Sequence, residues 1–357
     1  MSVICPNCQE ENDDDCNFCV HCGTPLKDEV SAGTAESAPP TKAPGKKKCQ
    51  DCGSENILEG FCQDCGVKWQ NTPPLPANSI EQREGADLAA VSNIGRRHTT
   101  NQDNVLVKHL DSGRIVMAVA DGVSTSQNAE DASLRAVQAA VEFIVAGENR
   151  AKAYGLTPES DEYTLSNALL VAHAIVGKLP FDVSLQAELA EPQTTLVLAL
   201  IDEKGISCAW AGDSRLYVLD ATTGAPATMQ LTVDDSWMNE AVAGGMAVEE
   251  ALKSPHAHEI TQCLGMRDGP LAVNYAETTW GEITRNKGSG SLTILACSDG
   301  LWNYFESPAS LQGKVAKLNG KDAFSVANEL VRQANLAGGS DNITAACCQM
   351  SLQRAVP

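Results

Sequence analysis

Ile115-Val116-Met117-Ala118-Val119-Ala120-Asp121-Gly122 is the stretch that orders the rest of the chain: six apolar residues end abruptly in a carboxylate and a glycine, and a largely polar run continues towards Ser133. It reads as a buried strand delivering one carboxylate to a surface rim. The arrangement recurs four times. Asp103 precedes Val105-Leu106-Val107, Asp213 follows Ile206–Gly212, Asp299 follows Leu292–Ser298, and Asp341 precedes Ile343–Met350. Taken singly, each is an ordinary turn former. Five carboxylates at strand ends together point to one shared metal site.

Working outward, further short β-like runs appear at Leu88–Ser92, Asn104–His109, Thr195–Asp202, Ser214–Asp220 and Leu271–Thr278. Several are almost continuously apolar, as strands buried on both faces are. Asp202-Glu203-Lys204-Gly205 is a tight connection and predicts an antiparallel hairpin. Three stretches carry helical spacing. Ala129–Ala146 sets Leu134, Val137, Val141 and Ile144 on one face; Ser160 caps a helix through Leu165–Leu179; Lys321–Leu336 ends at Gly338-Gly339. The expected fold is therefore α+β, an antiparallel β-sandwich flanked by helices over residues 85–353.

Composition sets limits on function. The chain has 357 residues, of which 43% are hydrophobic, and carries a formal net charge of -20. Such acidity opposes a general electrostatic grip on nucleic acid or an anionic membrane. No signal-like segment opens the sequence, and no apolar run approaches the roughly 18–20 residues of a membrane span. A soluble protein of the reducing cytoplasm is expected.

Cysteine placement defines the N-terminal region. Eight cysteines form Cys-x2-Cys pairs in two sets: Cys5, Cys8, Cys19 and Cys22, then Cys49, Cys52, Cys62 and Cys65. That spacing suits two tetrahedral zinc sites. Cys16 and His21 are surplus and are taken as bystanders. A segment this short buries too little apolar surface to fold alone, so zinc supplies its folding free energy. The expected layout is a zinc ribbon at 1–26, a linker at 27–47, a second ribbon at 48–69 and a Pro-containing linker at 70–84. The ribbons are expected to dock a protein partner or to regulate the main domain. Nucleic-acid binding has only Lys46-Lys47-Lys48 in its favour and is not expected.

Two resemblances follow from these residues. Phe18–Gly23 and Phe61–Gly66 carry a likeness to double zinc ribbons. The region from about Asp87 to Leu352 resembles the type 2C family of metal-dependent serine/threonine protein phosphatases. Its five blocks stand in the family's order: Gly95-x5-Asn101-Gln102-Asp103, Ala120-Asp121-Gly122-Val123, Ala211-Gly212-Asp213-Ser214-Arg215, Ser298-Asp299-Gly300-Leu301 and Gly339-Ser340-Asp341-Asn342-Ile343-Thr344. Thr194-Thr195-Leu196 fits a strand start usual in that family.

The resemblance implies hydrolysis of phosphoserine and phosphothreonine on proteins phosphorylated by a serine/threonine kinase, by a water that two Mn²⁺ or Mg²⁺ ions activate. It gives Asp121 as the bridge between the ions, Asp299 and Asp341 as further ligands of the first, and Asp103 with the Gly122 carbonyl as ligands of the second. Asp213 matches the position of a third, weaker site, shared with Asp299. Hard divalent cations favour this all-oxygen set. Two departures stand out. Where the family commonly places a phosphate-gripping Arg, this chain has His98, with Arg96 and Arg97 just before it; His98 or Arg97 is the candidate to meet the phosphate. After Gly122, Val123-Ser124-Thr125-Ser126 replaces the usual Gly and His. These departures keep a second reading open, a catalytically weak phosphatase-fold scaffold acting as a protein-interaction module. His256 and His258 are read as part of a polar turn, and Cys208, Cys263, Cys297, Cys347 and Cys348 as core residues rather than nucleophiles.

Overall fold

The computed structural model describes residues 79–352, apart from 186–188, 221–228, 268–269, 285–289 and 306, together with short strands at 2–4, 11–13, 57–58 and 61–62. The chain divides into two compact units, Met1–Asn71 and Thr72–Pro357. In the first, β1 (Ser2–Ile4) pairs antiparallel with β2 (Glu11–Asp13), and β3 (Ile57–Leu58) with β4 (Phe61–Cys62). Seven of the eight cysteines read as zinc ligands lie outside the described residues, and Cys62 is described only as a strand residue.

The second unit follows from the two-residue period of its strands. These are β5 (Ser79–Glu84), β6 (Leu88–Asn93), β7 (Asp103–His109), β8 (Ile115–Asp121), β9 (Leu196–Ile201), β10 (Gly205–Ala211), β11 (Arg215–Asp220), β12 (Met229–Gln230), β13 (Asn274–Thr279), β14 (Gly290–Cys297) and β15 (Ile343–Leu352). They form one sheet in the order β13-β10-β9-β8-β7 and another in the order β12-β11-β14-β15-β6-β5, with antiparallel pairing throughout. Along β8, Met117 and Val119 enter the core between the sheets, while Val116, Ala118 and Ala120 face the helices outside. A strand buried on both faces needs an unbroken apolar run, which is what the sequence supplies. Each large side chain so buried contributes about 1.5–3 kcal/mol.

Helices α1 (Ala129–Tyr154) and α2 (Asp161–Val176) cover the five-stranded sheet, and a C-terminal helix, Ala323–Ala337, covers the other. Helix α1 buries Ala129, Ala132, Ala136 and Ala140, small residues that let it lie close to the sheet. It runs past the expected end at Ala146, through Gly147, and stops where Gly155 takes a left-handed φ of 63°. Helix α2 starts where expected, at the Ser160 cap, whose hydroxyl accepts the Tyr163 N–H, and ends three residues short of Leu179. Among the described residues no helix is long and apolar enough to cross a membrane.

One expectation about the 70–84 linker is corrected: its last six residues are strand β5, an edge strand paired with β6. The Gln82 side chain also reaches the other sheet. Its amide donates to the Val105 carbonyl (2.8 Å) and its oxygen accepts the Val107 N–H (3.0 Å), so it serves the open edge of β7 as a neighbouring backbone would.

Candidate active site

The site is built from strand ends. The antiparallel register of β7 and β8 sets Asp103 directly opposite Asp121. Asp121 is fixed through its backbone: its N–H donates to the Thr195 hydroxyl (3.0 Å), and its carbonyl accepts the Thr194 hydroxyl and the Thr195 N–H, both at 2.8 Å. That leaves its carboxylate at the rim. Gly122 follows because nothing larger fits: a Cβ there would stand 2.5 Å from the Ala129 carbonyl oxygen, at the start of α1.

Asp299 opens a single helical turn, Asp299–Trp302, immediately after β14. A Cβ on Gly300 would lie 1.8 Å from the Asn342 carbonyl oxygen, so this turn and the loop before β15 meet backbone to backbone. Asn342 then stitches three segments together. Its oxygen accepts the Gln102 N–H (2.7 Å), and its amide donates to the carbonyls of Ile94 (2.8 Å) and Thr100 (3.1 Å). These ties hold Asp341, Asp299 and Asp103 to one rim. His98 joins them, with Nε2 3.2 Å from Asp341 Oδ1, while Arg97 is exposed.

The electrostatics of this rim are unfavourable in isolation. Asp103 is fully buried, and burial followed by the charges of Asp299 and Asp341 pushes its carboxyl up to about 7, against the lowering effect of hydroxyls from Thr344 and Ser298. Burial, then Asp103, Asp299, Asp213 and Asp341, holds Asp121 well above the usual carboxylate range. Burial and Asp341 raise Asp299 in the same way. Asp213 is pushed up to about 8 by burial, Asp299 and Asp234. Arg215, whose charge opposes this rise only in part, is held by both oxygens of Asp234 (2.9 and 2.6 Å) and stacks on Trp302. Two buried oxygens, Asp103 Oδ1 and Asp299 Oδ1, have no hydrogen-bond partner.

A divalent cation fits this donor set, since hard carboxylate and carbonyl oxygens are its preferred ligands and an unpaired buried carboxylate oxygen is otherwise costly. Among the described residues no three His, Cys, Asp or Glu side chains already converge as a finished cage.

The other candidates have different surroundings. His256 pairs with Glu259 (Nδ1 to Oε1, 2.6 Å) in a hydrogen-bonded turn after Ser254. All five cysteines beyond the first unit are buried, and burial pushes the thiols of Cys208, Cys263 and Cys348 up to about 12 and those of Cys297 and Cys347 higher still. Such thiols are poor nucleophiles. The sequence reading missed the roles of Ser92, Ser298, Thr344 and Thr195. Ser298, Thr344 and Thr195 stand in the motif blocks quoted above, whereas the signal at Ser92 was polarity in an otherwise apolar strand.

A helix-flanked double sheet that gathers carboxylates at one rim is the architecture that the resemblance to metal-dependent protein phosphatases implied. The comparisons carry this further. Residues 94–323 match the sequence profile described as protein phosphatase 2C, and residues 5–66 match that of the double zinc ribbon. The chain belongs to the protein phosphatase 2C family and is a protein serine/threonine phosphatase, preceded by a double zinc ribbon. It is 28% identical over 270 residues to the protein phosphatase PhpP of Streptococcus pneumoniae strain D39, covering 74% of this chain and 98% of that protein. It is 27% identical over 275 residues to the serine/threonine phosphatase stp of Listeria welshimeri, covering 73% and 94%. Its fold matches, with a TM-score of 0.53 and 22% identity, the catalytic domain of the serine/threonine protein phosphatase PstP, solved in complex with two manganese ions, over 77% of this chain and all of that one.

Proposed function

We propose that this phosphatase hydrolyses phosphoserine and phosphothreonine on proteins at a binuclear Mn²⁺ or Mg²⁺ centre held by Asp103, Asp121, Asp299, Asp341 and the Gly122 carbonyl, with Asp213 serving a third, weaker site. The observation that carries this reading is the pair of buried, unpartnered oxygens, Asp103 Oδ1 and Asp299 Oδ1, inside a cluster whose members raise one another's pKa. Bound divalent ions supply a nucleophilic water at neutral pH and compensate charge on the phosphoryl group. The chain's own residues set the geometry. Thr194 and Thr195 fix the direction of Asp121, Asn342 keeps the Asp341 loop against Asp103, and Gly122 lets its carbonyl approach. His98, beside Asp341, and the exposed Arg97 meet the substrate phosphate. The zinc ribbons select a protein partner or regulate access to the site. A reducing cytoplasmic setting agrees with five free buried thiols, and the substrates are products of a serine/threonine kinase.

The test is phosphate release from a phosphothreonine peptide, with Mn²⁺ added or chelated, for the full chain and for a chain starting at Thr72. Turnover that needs Mn²⁺ and survives removal of the ribbons is the expected result. Mn²⁺ binding without turnover in either length would overturn the catalytic reading for this substrate class and favour the scaffold.

A further inference from the structure

Asp103 is surrounded by polar groups that the metal reading leaves unexplained. Ser92, Ser298 and Thr344 are fully buried, and with Asn101 they form a hydrogen-bond circuit around its carboxylate. An ionised Asp103 only accepts. Its Oδ2 takes the Ser298 hydroxyl (2.7 Å) and the Thr344 hydroxyl (2.6 Å). The Thr344 hydroxyl is also the donor in its 2.7 Å contact with Ser92, so its one proton lies between Ser92 and Asp103. The Ser92 oxygen accepts the Asn101 amide (2.9 Å), and the Asn101 oxygen accepts the backbone N–H of Asp103 (3.3 Å), closing the ring. The Ser298 oxygen accepts the Thr344 N–H (3.1 Å). Oδ2 is satisfied twice, and Oδ1 is left bare.

The ring crosses the sandwich. Asp103 comes from the five-stranded sheet, while Ser92 and Thr344 lie on β6 and β15 of the other and Ser298 just beyond β14. A carboxylate free to rotate about its last bond would offer either oxygen. This one offers only Oδ1.

We propose that Thr344, Ser298 and Ser92 are positioning residues that lock the Asp103 carboxylate, present Oδ1 alone to the cation and so set the divalent-metal affinity of the phosphatase. This rests on Asp103 being a metal ligand. The roles are graded: Thr344 and Ser298 act directly on Oδ2, and Ser92 acts through its contact with the Thr344 hydroxyl.

The experiment is calorimetric titration of the full chain with Mn²⁺, alongside the Mn²⁺ concentration that gives half-maximal phosphate release. Thr344→Val and Ser298→Ala are each expected to weaken Mn²⁺ binding about 10–100-fold, as loss of a ligand's outer partner does. Saturating Mn²⁺ restores kcat, and KM for the phosphopeptide does not move. Thr344→Ser, which keeps the hydroxyl, binds Mn²⁺ as the natural protein does. Should Thr344→Val fail to melt cooperatively, Ser298→Ala and Thr344→Ser still decide the matter. A lowered melting temperature with unchanged Mn²⁺ affinity in Thr344→Val and Ser298→Ala, while Asp103→Asn loses affinity, would overturn the proposal. Unchanged affinity in Asp103→Asn as well would overturn the metal-ligand reading beneath it.

Discussion

The two ends of strand β8, about 20 Å apart at the rise of a β-strand, treat charge in opposite ways. At the Asp121 end, carboxylates crowd together, and burial and mutual repulsion raise their pKa values. At the Ile115 end the preceding residue, Arg114, is mostly buried and is matched twice, by Glu148 (3.3 Å) and by Asp161, whose second oxygen accepts the Ser207 hydroxyl (3.0 Å). A cavity of about 720 Å³ opens there, lined among others by Arg114, Asp161, Asp202, Lys204 and Glu277. Charge that the chain neutralises itself holds the fold together, whereas charge left unmatched at a rim calls for something from outside.

Substitutions at the two ends are expected to diverge. The largest effect belongs to Asp299→Asn, which removes several kcal/mol of transition-state stabilisation and so lowers phosphate release about 1,000-fold. The same substitution relieves repulsion, so the cation-free protein melts at a higher temperature at pH 8; a lower one would show that the rim is not strained by charge. At the other end, Arg114→Met strands two carboxylates and costs about 2–3 kcal/mol in urea unfolding. Its kcat at saturating Mn²⁺ stays within about two-fold of the natural value, since nothing at the rim is touched.

The smallest effect is a pH dependence. Asp103 and Asp213 have folded-state values raised from 3.8 to about 7 and about 8. Over that interval the folded, cation-free protein holds protons that the unfolded chain has released. Its stability therefore falls as pH rises, with the full penalty above the folded values. Thermal melts in chelator are expected to lose several degrees between about pH 5 and pH 8, and Mn²⁺ or Asp103→Asn to flatten that slope. A flat profile without metal would erase the contrast between the two ends.

Much of the rim was legible in the sequence, because a run such as Ile115–Ala120 that stops at a carboxylate has few structural meanings. Strand β5 was not legible. Ser79–Glu84 is mostly exposed and polar and follows a Pro-containing stretch, so its strand character comes from its partner β6 rather than from its own composition. The ring around Asp103 was equally hidden. Thr344 and Ser92 look like ordinary β-strand residues until the pairing of Thr344 with Ser92 across β15 and β6 sets them side by side. His98 kept its expected place near the cluster, but only the folded loop shows it beside Asp341.

Gln82 bears on a different property of the molecule, its behaviour at high concentration. The outer edge of β7 carries backbone groups of the kind through which sheets recruit strands from other molecules. A single side-chain amide occupies two of them, at Val105 and Val107, and stops that edge from acting as a template. Colloidal stability in this protein therefore depends in part on a residue that takes no part in its chemistry.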